Sequence, residues 1–245
     1  MSIRNLLGVA GVIFLVDCGV GGDKAKAPDP PPPPEQYIFA VDLSGSITAQ
    51  ERSANEQLLG SFTRSLGFGD RLIVMEAHAE GRRNSPPPLV LDLPTPEFGQ
   101  PTADDSTNLS ETASFAQPKI KQVLAAPVAN GTDLFATLHS VAERVREDPD
   151  RKTTLVLMSD MLQCAGGVCM ENGAVPDTAW IGSRKARNAL PNLAGTCVVV
   201  VGADASTPAG QRVRDFWISY FHAAGAQLRP EKYSYQVTRA ENLSC

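Results

Sequence analysis

No basic run in this chain is longer than the pair Arg82-Arg83, and the net charge at neutral pH is −5. Phosphate binding wants a clustered positive surface, so nucleic acid is excluded as the main partner. Histidine is scarce: His78, His139 and His222 stand apart, and no H-E-x-x-H pattern for a zinc hydrolase occurs. There is no G-x-S-x-G elbow, and Gly19-Val20-Gly21-Gly22-Asp23-Lys24 lacks the spacing and strand-to-helix context of a phosphate loop. Aromatic residues make up 6 % of the chain and no internal repeat is visible, which removes solenoids and propellers. An enzyme is therefore not the expected reading.

What is present at the N-terminus reads as export. Arg4 gives a thin positive region, and Leu6 to Val16 is uncharged and apolar, too short to span a bilayer but suited to a signal-peptide core. The stretch ends in Leu15-Val16-Asp17-Cys18-Gly19, which resembles a bacterial lipobox, with Asp17 standing where such motifs usually carry Gly or Ala. The resemblance implies a signal peptide over 1–18, lipidation of Cys18, and sorting to the outer membrane in preference to the inner. An ordinary cysteine in a soluble periplasmic protein is the alternative. Residues 19–35 lack periodicity, and Pro31 to Pro34 form a stiff polyproline II spacer of roughly 3 Å per residue, a tether ahead of a folded domain over 36–245.

Beyond Cys18 there remain Cys164, Cys169, Cys197 and Cys245, an even number in an exported chain, for which disulfides are expected and three connectivities are open. Cys164 and Cys169 flank a Gly-Gly turn and suit a small closed loop; Cys197 with Cys245 would pin the C-terminus to the sheet. Zinc is disfavoured by the absence of C-x-x-C pairs and of a nearby histidine.

The apolar runs at Tyr37 to Leu43, Arg71 to Ala77, Leu89 to Leu93, Thr153 to Ser159 and Thr196 to Ala203 predict strands, several buried on both faces, with Tyr233 to Val237 as a final edge. Between them, Leu58, Phe62 and Leu66 mark a helix opened by Thr48-Ala49-Gln50-Glu51, which has capping-box spacing. Leu134, Leu138, Val141 and Val145 mark another, and Thr207-Pro208 opens a third that carries Val213, Trp217 and Tyr220 on one face. Ser114 to Ala126, shortened by Pro118, and Thr178 to Leu190 are further helical segments, while Pro94 to Thr112 reads as a polar surface excursion. The alternation predicts a doubly wound α/β fold with a mainly parallel sheet, whose ligands gather at the C-terminal strand ends.

Three oxygen-bearing pieces fall at those ends. Asp42-Leu43-Ser44-Gly45-Ser46 follows the first strand, Asn130-Gly131-Thr132-Asp133 precedes the Leu134 helix, and Met158-Ser159-Asp160 closes an internal strand. One carboxylate and two hydroxyls on a strand-to-helix turn form a cluster of hard oxygens suited to Mg²⁺ or Mn²⁺. The order D-x-S-x-S, then Thr, then Asp resembles the metal-ion-dependent adhesion site of von Willebrand factor A (VWA) domains, over roughly residues 36 to 240. The resemblance implies a Rossmann-like fold with one short antiparallel edge strand. It also implies Mg²⁺ or Mn²⁺ held by Asp42, Ser44, Ser46, Thr132 and Asp160, and a protein partner whose exposed acidic group completes the metal shell. In that topology the hairpin Glu80 to Pro88, with Arg82 and Arg83, and the Cys164 to Cys169 loop lie at the metal end as the partner-facing rim.

Single residues of the set have a plainer explanation, since Ser, Thr and Asp ahead of a helix are ordinary caps. Two other functions compete with a binding module: Mg²⁺-dependent phosphoryl transfer using Asp42, which lacks a positioned lysine and a general base here, and a purely structural envelope domain.

Overall fold

The computed structural model describes residues 33–77, 87–96, 99–126, 131–171, 173–237 and 240–243. The proposed signal segment, Cys18, most of the tether, the rim residues Arg82 and Arg83, and Cys245 lie outside the described residues.

The strands are β1 (Glu35–Asp42), β2 (Arg71–Ala77), β3 (Leu89–Asp92), β4 (Lys152–Met158), β5 (Cys164–Ala165), β6 (Val168–Cys169), β7 (Cys197–Val201) and β8 (Gln227–Ser234). The helices are α1 (Ala49–Ser65), α2 (Ala103–Leu124), α3 (Leu134–Glu147), α4 (Thr178–Ala186) and α5 (Pro208–Ala223), followed by a 3-10 turn at Ala240–Leu243. Six strands form one sheet in the order β3-β2-β1-β4-β7-β8, and β5 and β6 form a separate hairpin. All neighbours in the large sheet are parallel except β2 and β3. The fold is thus doubly wound α/β with one short antiparallel edge. The chain builds outward through β2 and β3, then returns to the other flank of β1 with β4, and this reversal is a switch point of the kind that opens a crevice at the strand ends.

β1 explains the two cores. Its side chains alternate, so Ile38 and Ala40 pack with Leu134, Leu138 and Val141 of α3 and Trp217 of α5, while Phe39, Val41 and Leu43 pack with Leu58, Leu59 and Phe62 of α1 and Ile120 of α2. Val41 lies level with Met158 of β4, so the next residues, Asp42 and Ser159, leave the sheet side by side.

Several boundaries differ from the sequence expectation. Glu35 belongs to β1 and not to the tether: its N–H donates to Asp70 Oδ1 at 2.8 Å. The last strand starts at Gln227 instead of Tyr233, hidden by the polar run Arg229-Pro230-Glu231-Lys232, which an exposed edge strand with a bulge tolerates. The largest correction is α2. It starts at Ala103, inside the stretch read as an excursion, and it runs through Pro118. Thr102 and Asp105 form a capping box that starts it, and its inward row of Ala113, Ala116, Ile120 and Leu124 holds it to the sheet. Pro118 lies on the exposed face, where the carbonyl it leaves without a helical partner reaches water.

Candidate metal centre

Asp42 is fully buried, and three donors converge on its carboxylate. The Ser44 N–H donates to Oδ1 at 2.9 Å, the Thr132 hydroxyl lies 3.1 Å from both oxygens, and the Ser159 hydroxyl donates to Oδ2 at 2.7 Å. Ser44 and Ser46 place their hydroxyl oxygens 3.0 Å apart. The turn that presents them is held from behind by Arg52 of α1, whose guanidinium donates to the carbonyls of Leu43 and Ser44 at 2.7 and 3.3 Å.

Asp160 enters from the other side of the switch point. Its Oδ1 accepts the Leu162 N–H at 2.9 Å, and the Ser46 hydroxyl also bonds to it. Burial raises this carboxyl above the usual carboxylate range; the two hydrogen bonds pull it down, and the negative charges of Asp42 and Glu171 push it further up. Met161 follows with a left-handed backbone, φ 64°, which turns the chain back into the core. Its N–H donates to the Ser159 hydroxyl at 2.9 Å and its carbonyl accepts the Trp217 indole N–H at 2.9 Å. All five residues singled out in the sequence, Asp42, Ser44, Ser46, Thr132 and Asp160, therefore meet in one cluster.

Capping does not account for three of them. The N-cap of α1 is Thr48, with Glu51 closing the capping box, so Ser44 and Ser46 cap nothing. The N-cap of α3 is Asp133, whose carboxylate accepts the Ala136 N–H at 3.0 Å, so the Thr132 hydroxyl is left for Asp42. Among the described residues neither Asp42 nor Asp160 takes part in an ion pair. A fully buried carboxylate beside a half-buried one, with no counter-charge among the described residues, is a costly arrangement that a cation relieves.

The Cys164–Cys169 disulfide forms as the spacing suggested, closing the β5–β6 hairpin around Gly166 and Gly167, whose φ values of 60° and 82° are those of a tight hairpin turn. Their sulfurs and Glu171 lie close enough together to ligate a metal, but disulfide sulfurs are not thiolates. Cys197 is also disulfide-bonded.

Sequence reasoning missed three supporting residues: Ser159, Arg52 and Gln163. Ser159 was legible, since a parallel register that levels the ends of β1 and β4 sets it next to Asp42. Nothing local marks Arg52 or Gln163, whose partners lie far away in the chain or on main-chain carbonyls.

No protein-family model and no curated protein sequence matches the chain. Solved structures do. The pilus adhesin SpaC of Lactobacillus rhamnosus GG is similar with a TM-score of 0.50 and 14 % identity, over 86 % of this chain and 29 % of that one. An aerotolerance-related membrane protein from Bacteroides fragilis is similar with a TM-score of 0.44 and 13 % identity, over 80 % of this chain and 90 % of that one. Proximal thread matrix protein 1 of the mussel byssus, in a form with a zinc-occupied MIDAS motif, gives 0.41 and 15 %, over 75 % and 42 %. The chain spans under a third of the adhesin's length. At 14 % identity the likeness to the adhesin is one of fold alone, and with the strand order above that fold is VWA-like.

Proposed function

We propose that the domain is a divalent-cation-dependent protein-binding module, in which Asp42, Ser44, Ser46, Thr132 and Asp160 hold Mg²⁺ or Mn²⁺ and an acidic group of a protein partner completes the shell. The single observation that carries this reading is the pairing of a fully buried carboxylate, Asp42, and a half-buried one, Asp160, neither of them ion-paired among the described residues, with hydroxyls that cap no helix. The donor set is all oxygen, which fits a hard divalent ion in octahedral coordination and does not favour zinc. When bound, the ion supplies an exchangeable positive site for a carboxylate, which an acidic domain otherwise repels.

The chain's own residues do the rest. Asp42 has both oxygens engaged by Ser44, Thr132 and Ser159, which orients it and leaves it poorly placed as a nucleophile, so binding is favoured over phosphoryl transfer. Arg52 fixes the serine turn through main-chain carbonyls and does not neutralise the cluster. Adhesion or assembly in the envelope is the role assigned, and the fold shared with a pilus adhesin is compatible with it. Residues 1–18 are assigned as a signal segment with a lipobox-like end, 19–34 as a tether, and Cys18, retained after cleavage, as a lipid anchor on a periplasm-facing outer-membrane protein. Among the described residues no helix is long and apolar enough to cross a membrane.

Thermal unfolding in EDTA and then in millimolar Mg²⁺ or Mn²⁺ tests the site, because a ligand of the native state alone must raise the midpoint. A rise in wild type that Asp42→Ala and Thr132→Ala both lose is the expected result. A well-folded wild type with no rise would refute an intrinsic cation site.

A further inference from the structure

Gln163 is completely buried, and its amide is used at both ends. Oε1 accepts the N–H groups of Leu134 at 2.6 Å and Phe135 at 3.4 Å, while Nε2 donates to Asp133 Oδ1 at 3.3 Å and to the Ala165 carbonyl at 3.1 Å. One side chain thus joins the open N-terminus of α3, the residue that caps it, and strand β5. The next residue adds a main-chain link: Cys164 N–H donates to the Thr132 carbonyl at 3.0 Å. Apart from the bond to Ala165, these contacts fall on 132–135, the turn that presents the Thr132 hydroxyl to Asp42.

The segment that carries Gln163 is itself held by the hairpin. Two strands of two residues each cannot persist alone in water, but here the Cys164–Cys169 bond closes them, and Met170 N–H returns to the Gln163 carbonyl at 2.7 Å. The hairpin also follows Asp160 directly, so it ties the third piece of the oxygen cluster to the second.

We propose that Gln163, fixed by the Cys164–Cys169 hairpin, is the positioning residue that sets Thr132 for cation binding; the proposal rests on the reading of the cluster as a cation site. Gln163 touches no ion. It acts as outer-shell partners of metal ligands do, by removing the freedom of the ligand's own backbone, and loss of such a partner weakens metal affinity about 10- to 100-fold. Because the hairpin holds Gln163, cutting the disulfide has the same consequence, and cation affinity becomes sensitive to thiol reduction.

The test is calorimetric titration of the protein with Mn²⁺, without reductant, at a temperature where every variant is folded. Wild type, Gln163→Met, the double variant Cys164→Ser/Cys169→Ser, and the two combined are compared. Leu59→Ala serves as the control, since that side chain is buried in the core on the other face of the sheet from α3 and its loss lowers stability without touching residues 132–135. Gln163→Met and the double variant are expected to bind about 10- to 100-fold more weakly, the combination no more weakly than either, and Leu59→Ala as wild type does. If Gln163→Met fails to fold, the double variant decides alone. Wild-type affinity in the double variant, or an equal loss in Leu59→Ala, overturns the positioning role and leaves the cation site standing. A wild type that binds no Mn²⁺ removes the site, and the proposal with it.

Discussion

The indole N–H of Trp217 in α5 donates to the carbonyl of Met161, the left-handed residue immediately after Asp160. A buried helix side chain therefore holds the turn that aims a site carboxylate. Trp217→Phe keeps most of the ring volume but leaves that carbonyl unpaired in the core, which costs about 1–3 kcal/mol. Denaturant unfolding in EDTA checks the loss, and a cation-induced rise in midpoint smaller than that of wild type would show the turn loosening.

Capping and ligation separate in a pair of neighbouring substitutions. Thr48→Ala removes the cap of α1 and is expected to lower stability by about 0.5–2 kcal/mol in EDTA while the cation-induced rise in midpoint persists. Ser46→Ala is expected to reverse the pattern, with little change in EDTA and a reduced rise with Mn²⁺. Equal behaviour of the two variants would contradict the division of roles.

Asp160 gives stability a definite dependence on pH. Its carboxyl is raised in the folded state, mainly by burial, so the folded protein holds that proton more tightly than the unfolded chain. Without a cation, its contribution is therefore full below the unfolded carboxylate value and is lost as pH rises through the raised folded value. Asp160→Asn should flatten that segment of a stability-against-pH curve measured in EDTA. A slope unchanged by the substitution would assign it to another group.

Gly202 tests how closely β7 approaches the site. Its φ is 104°, and a Cβ there would sit 3.1 Å from the Ser159 carbonyl oxygen. Gly202→Ala is expected to cost about 1–3 kcal/mol through backbone strain, on the scale of other sparsely populated conformations. The crowding falls on the residue whose hydroxyl orients Asp42, so Mn²⁺ affinity measured by titration should drop as well.

The readable parts of this molecule are those where one residue type has one environment. Leu155-Val156-Leu157 and Val198 to Val201 have apolar neighbours on both sides and are legible as central strands from composition alone. The clustering of Asp42, Ser44, Ser46, Thr132 and Asp160 was legible because each lies where an element ends or begins and a polar side chain interrupts an apolar pattern. What was hidden depends on partners remote in sequence. The first half of α2, Asp104 to Glu111, has the composition of a loop and is helical because its cap starts it and Ala113, Ala116 and Ile120 beyond it find a core. The same holds for Gln163, an unremarkable glutamine until α3 is laid against it. Signals that were available and unused are the Thr102–Asp105 cap and Ser159, which shares its register row with Asp42.

Asp42 continues the row of Ile38 and Ala40 on β1, and Ser159 continues the row of Leu155 and Leu157 on β4, so the oxygen cluster and the core under α3 lie on the same side of the sheet. A slip of one residue in β1 would turn that whole row over, putting Asp42 among the α1 side chains and Phe39 and Val41 where Ala40 fits. No misaligned chain can then offer the cluster while hiding its error elsewhere. Assembly of the five oxygens is in this sense a proofreading event: the surface becomes competent only in molecules whose central strands have already paired correctly.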